Sequence, residues 1–433
     1  MSEIIKNVKK TINAWALFDW ANSAYALVIS TAIFPIFFIE NTDDIIQIGS
    51  ISFTNSSLWT FAVSISYIII ALITPILSGM ADYSGKRMHF LKIFTVLGSI
   101  SCIALYFFNV VPLWLGTSAF ILATIGFSGG IVFYNSYLPL IVTEDKYDRV
   151  SAKGFAAGYI GSVILLVFIL WMVLSPDTFN IPGETIEEQG NAASAIGFIL
   201  VGIWWIVFGF ISFRNLPQDK RIFSDENLFT KGFQEIKKVY GELKNQPDLK
   251  KFLWAFFFYS AGVQTIIYVA TVFAKIILNF ESSEMIAIVL VLQLVGIVGA
   301  YLFAYVSDQI GNKKSLIIMI LIWIFICVIA YFTTGKTLFY FLAGLVGMVM
   351  GGIQAISRST YSKMLTNKED EITSYFSFYD VLYKSSIVVG TLAYGLVDNL
   401  TGNLRYSVLS LGIFFVIGLY ILSITDFKKA MSN

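Results

Sequence analysis

Long apolar segments recur along this chain, and they constrain its fold more than any other feature. A helix that spans a bilayer needs about 20 predominantly apolar residues, and twelve segments meet that requirement. They cover residues 12–39, 56–78, 88–109, 114–141, 151–174, 192–213, 250–278, 285–306, 314–333, 337–365, 373–397 and 404–425. We therefore expect an all-α membrane protein with twelve transmembrane helices.

The composition argues against the soluble classes of protein. Charged residues make up 13% of the chain, against about 25% in a soluble domain. The net charge of +1 does not provide the basic face that nucleic acid requires. One histidine, His89, and two cysteines within apolar runs, Cys102 and Cys327, are too few for a usual metal site or a disulfide framework. We expect no metal, no cofactor and no nucleic-acid partner.

The distribution of Lys and Arg predicts the orientation. If the N-terminus is cytoplasmic, nearly all of the 29 Lys and Arg residues fall in segments on the inner side. Cytoplasmic segments of membrane proteins carry such an excess of positive charge. We therefore expect both termini in the cytoplasm. Independently of the charge distribution, we expect a monomer in the cytoplasmic membrane of a bacterium.

One long inner segment, 214–249, divides the chain near its middle. Its apolar residues recur at helical spacing, at Phe229, Phe233, Ile236, Tyr240 and Leu243. This pattern predicts an amphipathic helix that lies on the inner leaflet, and a solvated linker helix is the alternative. We expect two six-helix bundles, over 1–213 and 250–433, with the linker 214–249 between them.

Similar motifs occur in the two halves. Residues 78–87 read SGMADYSGKR and residues 304–314 read AYVSDQIGNKK, each directly after the second span of its half. Glycine pairs at 129–130 and 351–352 repeat at nearly the same offset. This predicts a parallel repeat, which places a substrate site between the halves. The doubled D-x-x-G with its following basic residues resembles the signature of the major facilitator superfamily.

A string in the first span gives a narrower resemblance. Residues 15–25 read WALFDWANSAY, and they are accompanied by FYNSYLP at 133–139, KGFAAGY at 153–159 and GGIQAISRS at 351–359. Together these stretches resemble the fungal vacuolar amino-acid effluxers linked to autophagy and their bacterial relatives. The resemblance covers nearly the whole chain. It implies a secondary transporter rather than an enzyme, with amino-acid export as the expected activity.

Ionisable residues inside the spans are the first candidates for function, because they are costly to bury in a membrane. Asp19 lies in the first span. Arg358, in the tenth, suits bidentate recognition of a carboxylate, unless its side chain extends to the cytoplasmic interface. Asp380 and Lys384 are neighbours on one helical face. They could act as a switch, and a static structural ion pair is the alternative. The candidates for substrate binding or coupling are Asp19, Asn22, Tyr25, Tyr134, Asn135, Gln264, Gln354, Arg358, Tyr379, Asp380, Tyr383 and Lys384.

The repeated motif supplies candidates for a gate at the inner side. A helix N-terminus carries about half a positive charge, so Asp82 can pair with the start of the eleventh span near Thr373, and with Lys86 or Arg87. A loop held only by its own ion pairs is the alternative. The gating candidates are Asp82, Gly85, Lys86, Arg87, Asp308, Gly311, Lys313 and Lys314.

These features together predict a secondary active transporter that moves a small metabolite by alternating access. The resemblance favours an amino acid, and both charge signs in one cavity suit a zwitterion or the transfer of a proton. Asp19 is the first candidate for the proton site and Asp380 the second. Import of a peptide, sugar or nucleoside is one alternative. A non-transporting receptor or scaffold on the same fold is another.

Overall fold

The computed structural model describes residues 5–48, 50–218, 227–280, 282–365 and 368–432, and they are mostly helical. The helices of the first half are α1 (Lys9–Ala24), α2 (Phe34–Glu40), α3 (Asn55–Ser84), α4 (Arg87–Ala104), α5 (Leu113–Asn135), α6 (Leu138–Ile141), α7 (Tyr147–Leu174) and α8 (Ile186–Phe213).

The described parts of the linker and the second half are also mostly helical. Residues 219–226 of the predicted linker lie outside the described residues. The remaining helices are α9 (Leu228–Lys244), α10 (Pro247–Leu278), α11 (Ser282–Ile310), α12 (Asn312–Phe332), α13 (Lys336–Lys363), α14 (Ile372–Thr401), α15 (Leu404–Ser423) and α16 (Phe427–Ser432).

Most of the long helices among the described residues have the length and composition of membrane spans. Eleven helical segments there are long and apolar enough to cross a membrane, which confirms the class of fold. The helix α14 has the necessary length, at 30 residues, but it is too polar to be counted with them because residues such as Asp380 and Lys384 lie within it. The twelfth span therefore stays a prediction.

Two local features depart from the all-α prediction of regular spans. The first span is not one continuous α-helix, since α1 passes into a π-helical segment, Tyr25–Ala32, before α2 begins. Such segments are rare and occur frequently at functional sites. Between α2 and α3 the chain forms a short antiparallel hairpin of β1 (Ile45–Ile48) and β2 (Ile51–Thr54).

Small residues set the closest approaches between helices. A Cβ atom added at Gly351 of α13 would lie 2.1 Å from the backbone oxygen of Gly296 in α11. A Cβ atom at Gly158 of α7 would lie 2.4 Å from Oγ of Ser23 in α1. Without a hydrophobic driving force between them, membrane helices associate through such close packing. Glycine therefore fixes the α11–α13 and α1–α7 contacts.

The two halves meet closely at one end of the molecule. We call this end, which carries residues 84–87, 141–147, 310–312, 363–365 and 368–372, the basic face. Ion pairs there join the halves, with Lys6 Nζ 2.7 Å from Glu369 Oε1 and Arg149 Nε 2.6 Å from Asp308 Oδ2. The ends of α3, α5, α8, α11 and α13 lie at this face, together with the starts of α1, α7 and α14.

The orientation can be tested with single cysteines. Gln234 of α9 is exposed near the basic face, and Glu187 is exposed at the far end of α8. We expect a membrane-impermeant maleimide to label Glu187→Cys but not Gln234→Cys in intact cells, and the reverse in inside-out vesicles. Both native cysteines are buried, and replacing them with alanine gives the background. Labelling of both positions from the same side would contradict the topology.

Candidate functional site

A cavity of about 120 Å³ lies between the halves, and helices of both halves line it. Most of the predicted substrate and coupling residues are among its walls; Asn22, Tyr25 and Lys384 are not. The lining residues are Asp19, Ile131, Tyr134, Asn135, Phe155, Phe256, Tyr259, Ser260, Val263, Gln264, Ile353, Gln354, Ser357, Arg358, Tyr379, Asp380 and Tyr383.

Arg358 is buried at the wall of this cavity, with 3% of its surface exposed. Its Nε donates to Oγ of Ser151 at 2.9 Å, and its Nη2 donates to the backbone oxygen of Ser151 at 2.7 Å. Its Nη1 is 3.3 Å from both Asp19 Oδ2 and Asn135 Oδ1. The guanidinium therefore bonds to the first half of the chain. The alternative of a side chain that extends to the interface is wrong for this state.

Asp19 is the carboxylate that faces Arg358, and the surrounding helices are shaped for it. Its Oδ2 accepts a hydrogen bond from the Tyr134 hydroxyl at 2.8 Å, and the Trp15 ring stacks on Tyr134 with centroids 4.6 Å apart. A Cβ atom at Gly154 would lie 2.8 Å from Asp19 Oδ2 and 2.9 Å from Arg358 Nη2. Only glycine at position 154 lets α7 approach the ion pair this closely.

The second pair of charges lies on α14. Lys384 donates to the carboxylate of Asp380 one turn away, as the spacing predicted. Both side chains are buried, and Lys384 Nζ also lies 3.4 Å from the backbone oxygen of Ser128. Asp380 lines the cavity whereas Lys384 stands behind it. The site thus holds two carboxylates and two cations.

Neutral hydrogen-bonding groups complete the walls. Tyr159 donates to Gln354 Oε1 at 2.7 Å, and the hydroxyl oxygens of Tyr259 and Ser357 are 2.7 Å apart. The Tyr379 ring stacks on Phe256 at 4.0 Å. These contacts hold polar groups at the cavity surface, where they can bind a polar solute.

Some residues of the site were not identified as candidates in the sequence. Ser151, Tyr259, Ser260 and Ser357 take part in the site, but serine and tyrosine are common in membrane helices and carry little signal there. Ser357 does lie beside Arg358 in the stretch 351–359. That proximity was the available signal.

Two predicted site residues in the first span, Asn22 and Tyr25, do not line the cavity. The Tyr25 hydroxyl lies 2.7 Å from Thr124 Oγ1, and the ring packs against Phe127 and Trp205 inside the first half. Asn22 is buried, with 1% of its surface exposed. Tyr25 begins the π-helical segment, and its ring packs on α5 and α8. Neither residue is in place to contact solute in this state.

Asp82 makes the contact that its motif predicted. It lies in the last turn of α3 rather than in a loop, and its carboxylate accepts from the backbone N–H groups of Ser374, at 2.7 Å, and Thr373, at 3.3 Å. Arg87 Nη2 is 3.3 Å from the same carboxylate, and its Nε donates to Thr373 Oγ1 at 2.8 Å. Gly85 ends α3 with φ +61. The gating role itself stays a prediction.

The second copy of the motif is used differently. Gly311 has φ +85 and so resembles Gly85, but Asp308 pairs with a largely exposed Arg149. Lys313 donates to the backbone oxygens of Ser423, at 2.7 Å, and Thr425. Lys313 therefore contacts the end of α15 within its own half, and its gating role stays a prediction. Lys314 is exposed and Lys86 half-buried.

A buried carboxylate at the start of α7 contacts this copy of the motif, and the sequence did not single it out. Asp148 accepts from Ser307 Oγ at 2.9 Å, from Asn312 Nδ2 at 2.8 Å and from Lys363 Nζ at 2.8 Å. Its side chain is 2% exposed. In the sequence it lies in the charged stretch 144–149, which resembles an ordinary surface loop. Both networks thus place their carboxylate in the first half of the chain and accept hydrogen bonds from the second half.

The helix α9 is attached to both halves near the basic face. Gly232 packs against α3, since a Cβ atom added there would lie 2.8 Å from the backbone oxygen of Ile76. Val239 and Leu243 are buried, whereas Phe229 and Phe233 are more than half exposed. The apolar residues that were predicted to form one face of α9 are therefore divided, because some pack inside the protein and others are exposed at its surface.

Ion pairs attach α9 to the start of α14. Glu242 accepts from Lys368 Nζ at 2.9 Å and from the Tyr375 hydroxyl at 2.8 Å, and Lys238 bonds to Glu371. The bond to Glu371 raises the pKa of Lys238. Burial raises the pKa of Glu242, but the two hydrogen bonds outweigh it and leave that pKa lowered. The stability that the ionised Glu242 contributes is therefore lost only as pH falls through its lowered pKa. The stability that the charged Lys238 contributes is lost only as pH rises through its raised pKa.

Comparison with known proteins gives consistent matches along the chain. Residues 7–433 match the family model described as "Vacuole effluxer Atg22 like". The uncharacterized MFS-type transporter YxiO of Bacillus subtilis (strain 168) is 32% identical over 421 residues, which cover 97% of this chain and 96% of that protein. Autophagy-related protein 22-1 of Penicillium rubens is 23% identical over 474 residues, covering 88% and 76%.

Solved structures of transporters share the fold. FucP, a major facilitator superfamily transporter in its outward conformation, superposes with a TM-score of 0.71 at 11% identity, over 97% of this chain and 99% of that chain. An outward-facing bacterial homologue of the iron transporter ferroportin gives a TM-score of 0.66 at 14% identity, over 98% and 99%. These likenesses confirm the predicted major facilitator fold.

The close approach at Gly154 can be tested by adding one methyl group. Gly154→Ala should displace Asp19 or Arg358 and lower the free energy of unfolding by about 1–3 kcal/mol, the usual cost of overpacking. Gly344→Ala is the matched control, because a Cβ atom there meets no atom within 4 Å. Thermal unfolding of the purified proteins measures both. An equal loss of stability in the two variants would contradict this account of the site.

The hydrogen-bond networks of Asp82 and Asp148 at the basic face can be compared by measuring transport. Asp82→Asn and Asp148→Asn each weaken charge-assisted hydrogen bonds between the halves, so we expect transport to slow about tenfold with little change in equilibrium affinity. Asp308→Asn is the control, because exposed pairs contribute about 0–1 kcal/mol. A large loss of affinity with normal turnover at saturating solute would place the altered residue in the binding site instead.

Proposed function

Because this chain belongs to the Atg22-like family of major facilitator transporters, we propose that it carries a small zwitterionic solute, foremost an amino acid, by alternating access. Members of this superfamily are secondary transporters rather than enzymes. The finer parts of the proposal are the solute, the coupling ion and the direction of movement.

One observation carries the choice of solute: the site between the halves contains balanced charges. Asp19, Arg358 and Asp380 line the cavity, and Lys384 neutralises Asp380 from behind. An amino acid brings one carboxylate and one ammonium group, and each can find an opposite charge here. Arginine binds a carboxylate in a planar, bidentate way. The cavity volume of about 120 Å³ favours such a small solute over a peptide or a nucleoside.

The proposal includes the organisation of the chain. Two six-helix bundles, over 1–213 and 250–433, would move about the site, with the linker 214–249 joining them and α14 as the twelfth span. The protein would be a monomer in the cytoplasmic membrane, with the basic face and both termini in the cytoplasm. The inter-half contacts at the basic face support a state closed on that side.

Protons are the proposed coupling ion, and the geometry favours Asp19 over Asp380 as their site. Asp19 faces a cation carried by the other half of the chain, at 3.3 Å, so movement of the halves changes its surroundings. Asp380 and Lys384 lie one turn apart on the same helix and move together. A coupling group has to meet different surroundings in the two states, and Asp19 does so.

The direction of transport has two candidates. The description of the family as vacuole effluxers supports export, which the resemblance implied. Efflux from a vacuole, however, delivers solute to the cytosol, and the equivalent movement across a cell membrane is uptake. Import of a sugar, peptide or nucleoside remains the rival function. A receptor or scaffold would not need four buried charges at its centre.

The proposal is tested by paired measurements in proteoliposomes with a mixture of amino acids. Wild-type protein should accumulate at least one amino acid when a proton gradient is imposed, and should exchange it without a gradient. Asp19→Asn should abolish the gradient-driven accumulation and retain exchange, because the neutral side chain can no longer bind and release a proton.

Three other outcomes would be decisive. Intact gradient-driven accumulation in Asp19→Asn would remove Asp19 as the proton site. Loss of both activities, with the protein still folded, would make Asp19 a binding or structural residue and move the coupling role to Asp380. Transport of a sugar or nucleoside, with no amino acid moved, would overturn the proposed solute.

A further inference from the structure

We infer that the carboxylate of the solute takes the place of Asp19 at Arg358, and that the displaced Asp19 then binds a proton. Solute and proton would bind together and cross the membrane in the same direction. This inference rests on the proposed function and adds the order of events at its site. It concerns a solute that carries a carboxylate group.

The guanidinium of Arg358 has one anchored edge and one exchangeable edge. Ser151 accepts from Nε at 2.9 Å and from Nη2 at 2.7 Å, and these bonds do not involve Asp19. The Nη1 contacts to Asp19 and Asn135 are longer, at 3.3 Å each. Arg358 therefore stays in position when the Asp19 contact is lost.

The exchangeable edge is the one that faces the cavity. Asp19 and Asn135, the two acceptors near Nη1, both line the cavity. Aromatic rings pack against the guanidinium, with Phe155 4.1 Å and Trp15 4.7 Å from ring centroid to Arg358 Cζ. A carboxylate prefers to bind guanidinium in its plane through parallel N–H···O bonds. A solute carboxylate in the cavity would thus compete for the Nη1 edge.

The displaced Asp19 keeps a partner but loses its counter-charge. The Tyr134 hydroxyl still donates to Oδ2 at 2.8 Å. The side chain is buried, with 8% of the residue exposed, and an unpaired buried carboxylate is costly. Asp380 cannot supply the missing charge, because it is itself an acid held by Lys384. Binding a proton removes the cost.

The groups near Asp19 come from several helices, and among the residues that the structure describes Arg358 is the one cation in direct contact with it. They are Tyr134 from α5, Tyr159 from α7, Arg358 from α13, and Asp380 with Lys384 on α14. The helix α8 contributes the uncharged Trp204 and Ser212, which donate to the backbone oxygens of Trp20 and Ala14 on α1. The loss of that cation is therefore the event that changes the protonation of Asp19.

The charge balance gives the direction. One carboxylate replaces another at the guanidinium, and one proton from water on the open side neutralises Asp19. A zwitterionic solute adds no net charge, so the loaded protein carries one positive charge more than the empty protein. A membrane potential negative in the cytosol favours inward movement of that charge. The inference therefore predicts electrogenic, proton-driven uptake.

The test measures protons during binding to the purified protein in detergent. The probes are the common amino acids and, for each, the amide in which a carboxamide replaces the carboxylate. We expect an amino acid to bind with uptake of about one proton, and its apparent affinity to fall by up to about tenfold per pH unit as pH rises. The matched amide should bind weakly and take up no proton.

Variants separate the roles. Asp19→Asn should bind the amino acid about tenfold more tightly at neutral pH, because the competing carboxylate is gone, and its affinity should no longer depend on pH in this range. Asp398→Asn, on the same helix as Asp380 but away from the cavity, is the control and should behave as wild type. The proton measurement on wild-type protein needs no variant, so it decides even if Asp19→Asn fails to fold.

Several results would overturn the inference. Proton release on binding, or weaker binding of amino acids by folded Asp19→Asn, would contradict it. Amino-acid binding and transport without proton uptake would overturn it and leave the proposed solute standing. Binding of a sugar or nucleoside with no binding of any amino acid would overturn both, as would a failure of every carboxylate-bearing probe to bind.

Discussion

A cation buried inside a membrane protein has to be neutralised, and Arg358 is neutralised by the opposite half of the chain. Its bonds to Ser151 and its contact with Asp19 impose conditions on the packing around it. The helix α7 must come within reach of the guanidinium, so no side chain can stand at Gly154. The closeness of the two halves at the cavity thus follows from the cost of an unpaired buried charge.

The same requirement governs the basic face, but the two copies of the repeat meet it differently. In the first half Asp82 on α3 accepts from the start of α14, where backbone N–H groups point outward without helical partners. At the second copy of the motif the buried carboxylate is Asp148 on α7, which is also in the first half, and its donors come from α11, α12 and α13. The motif therefore supplies the acceptor at its first copy and the donors Ser307 and Asn312 at its second copy.

The sequence predicted those features that depend on local pattern. Apolar length marked the spans, the spacing of Asp380 and Lys384 marked their pair, and the motif around Asp82 marked its contact with the start of α14. Features that depend on the meeting of distant helices were not predictable in this way. The partner of Arg358 lies 339 residues away in the chain. The Tyr25 ring packs inside the first half, at the start of a π-helical segment, and no local sequence pattern indicates such a segment.

The contact between Asp19 and Arg358 belongs both to the cavity wall and to the set of bonds that join the halves. A solute carboxylate at Arg358 would therefore remove one inter-half bond while the networks of Asp82 and Asp148 remain. A ligand shifts a conformational equilibrium only by its differential interaction with the two states. Replacement of Asp19 by the solute carboxylate at Arg358 supplies such a difference. The solute would bond to Arg358 in the second half, whereas the contact between Asp19 and Arg358 joins the two halves. Binding would then weaken closure of the basic face directly, without a separate relay between the cavity and the gate.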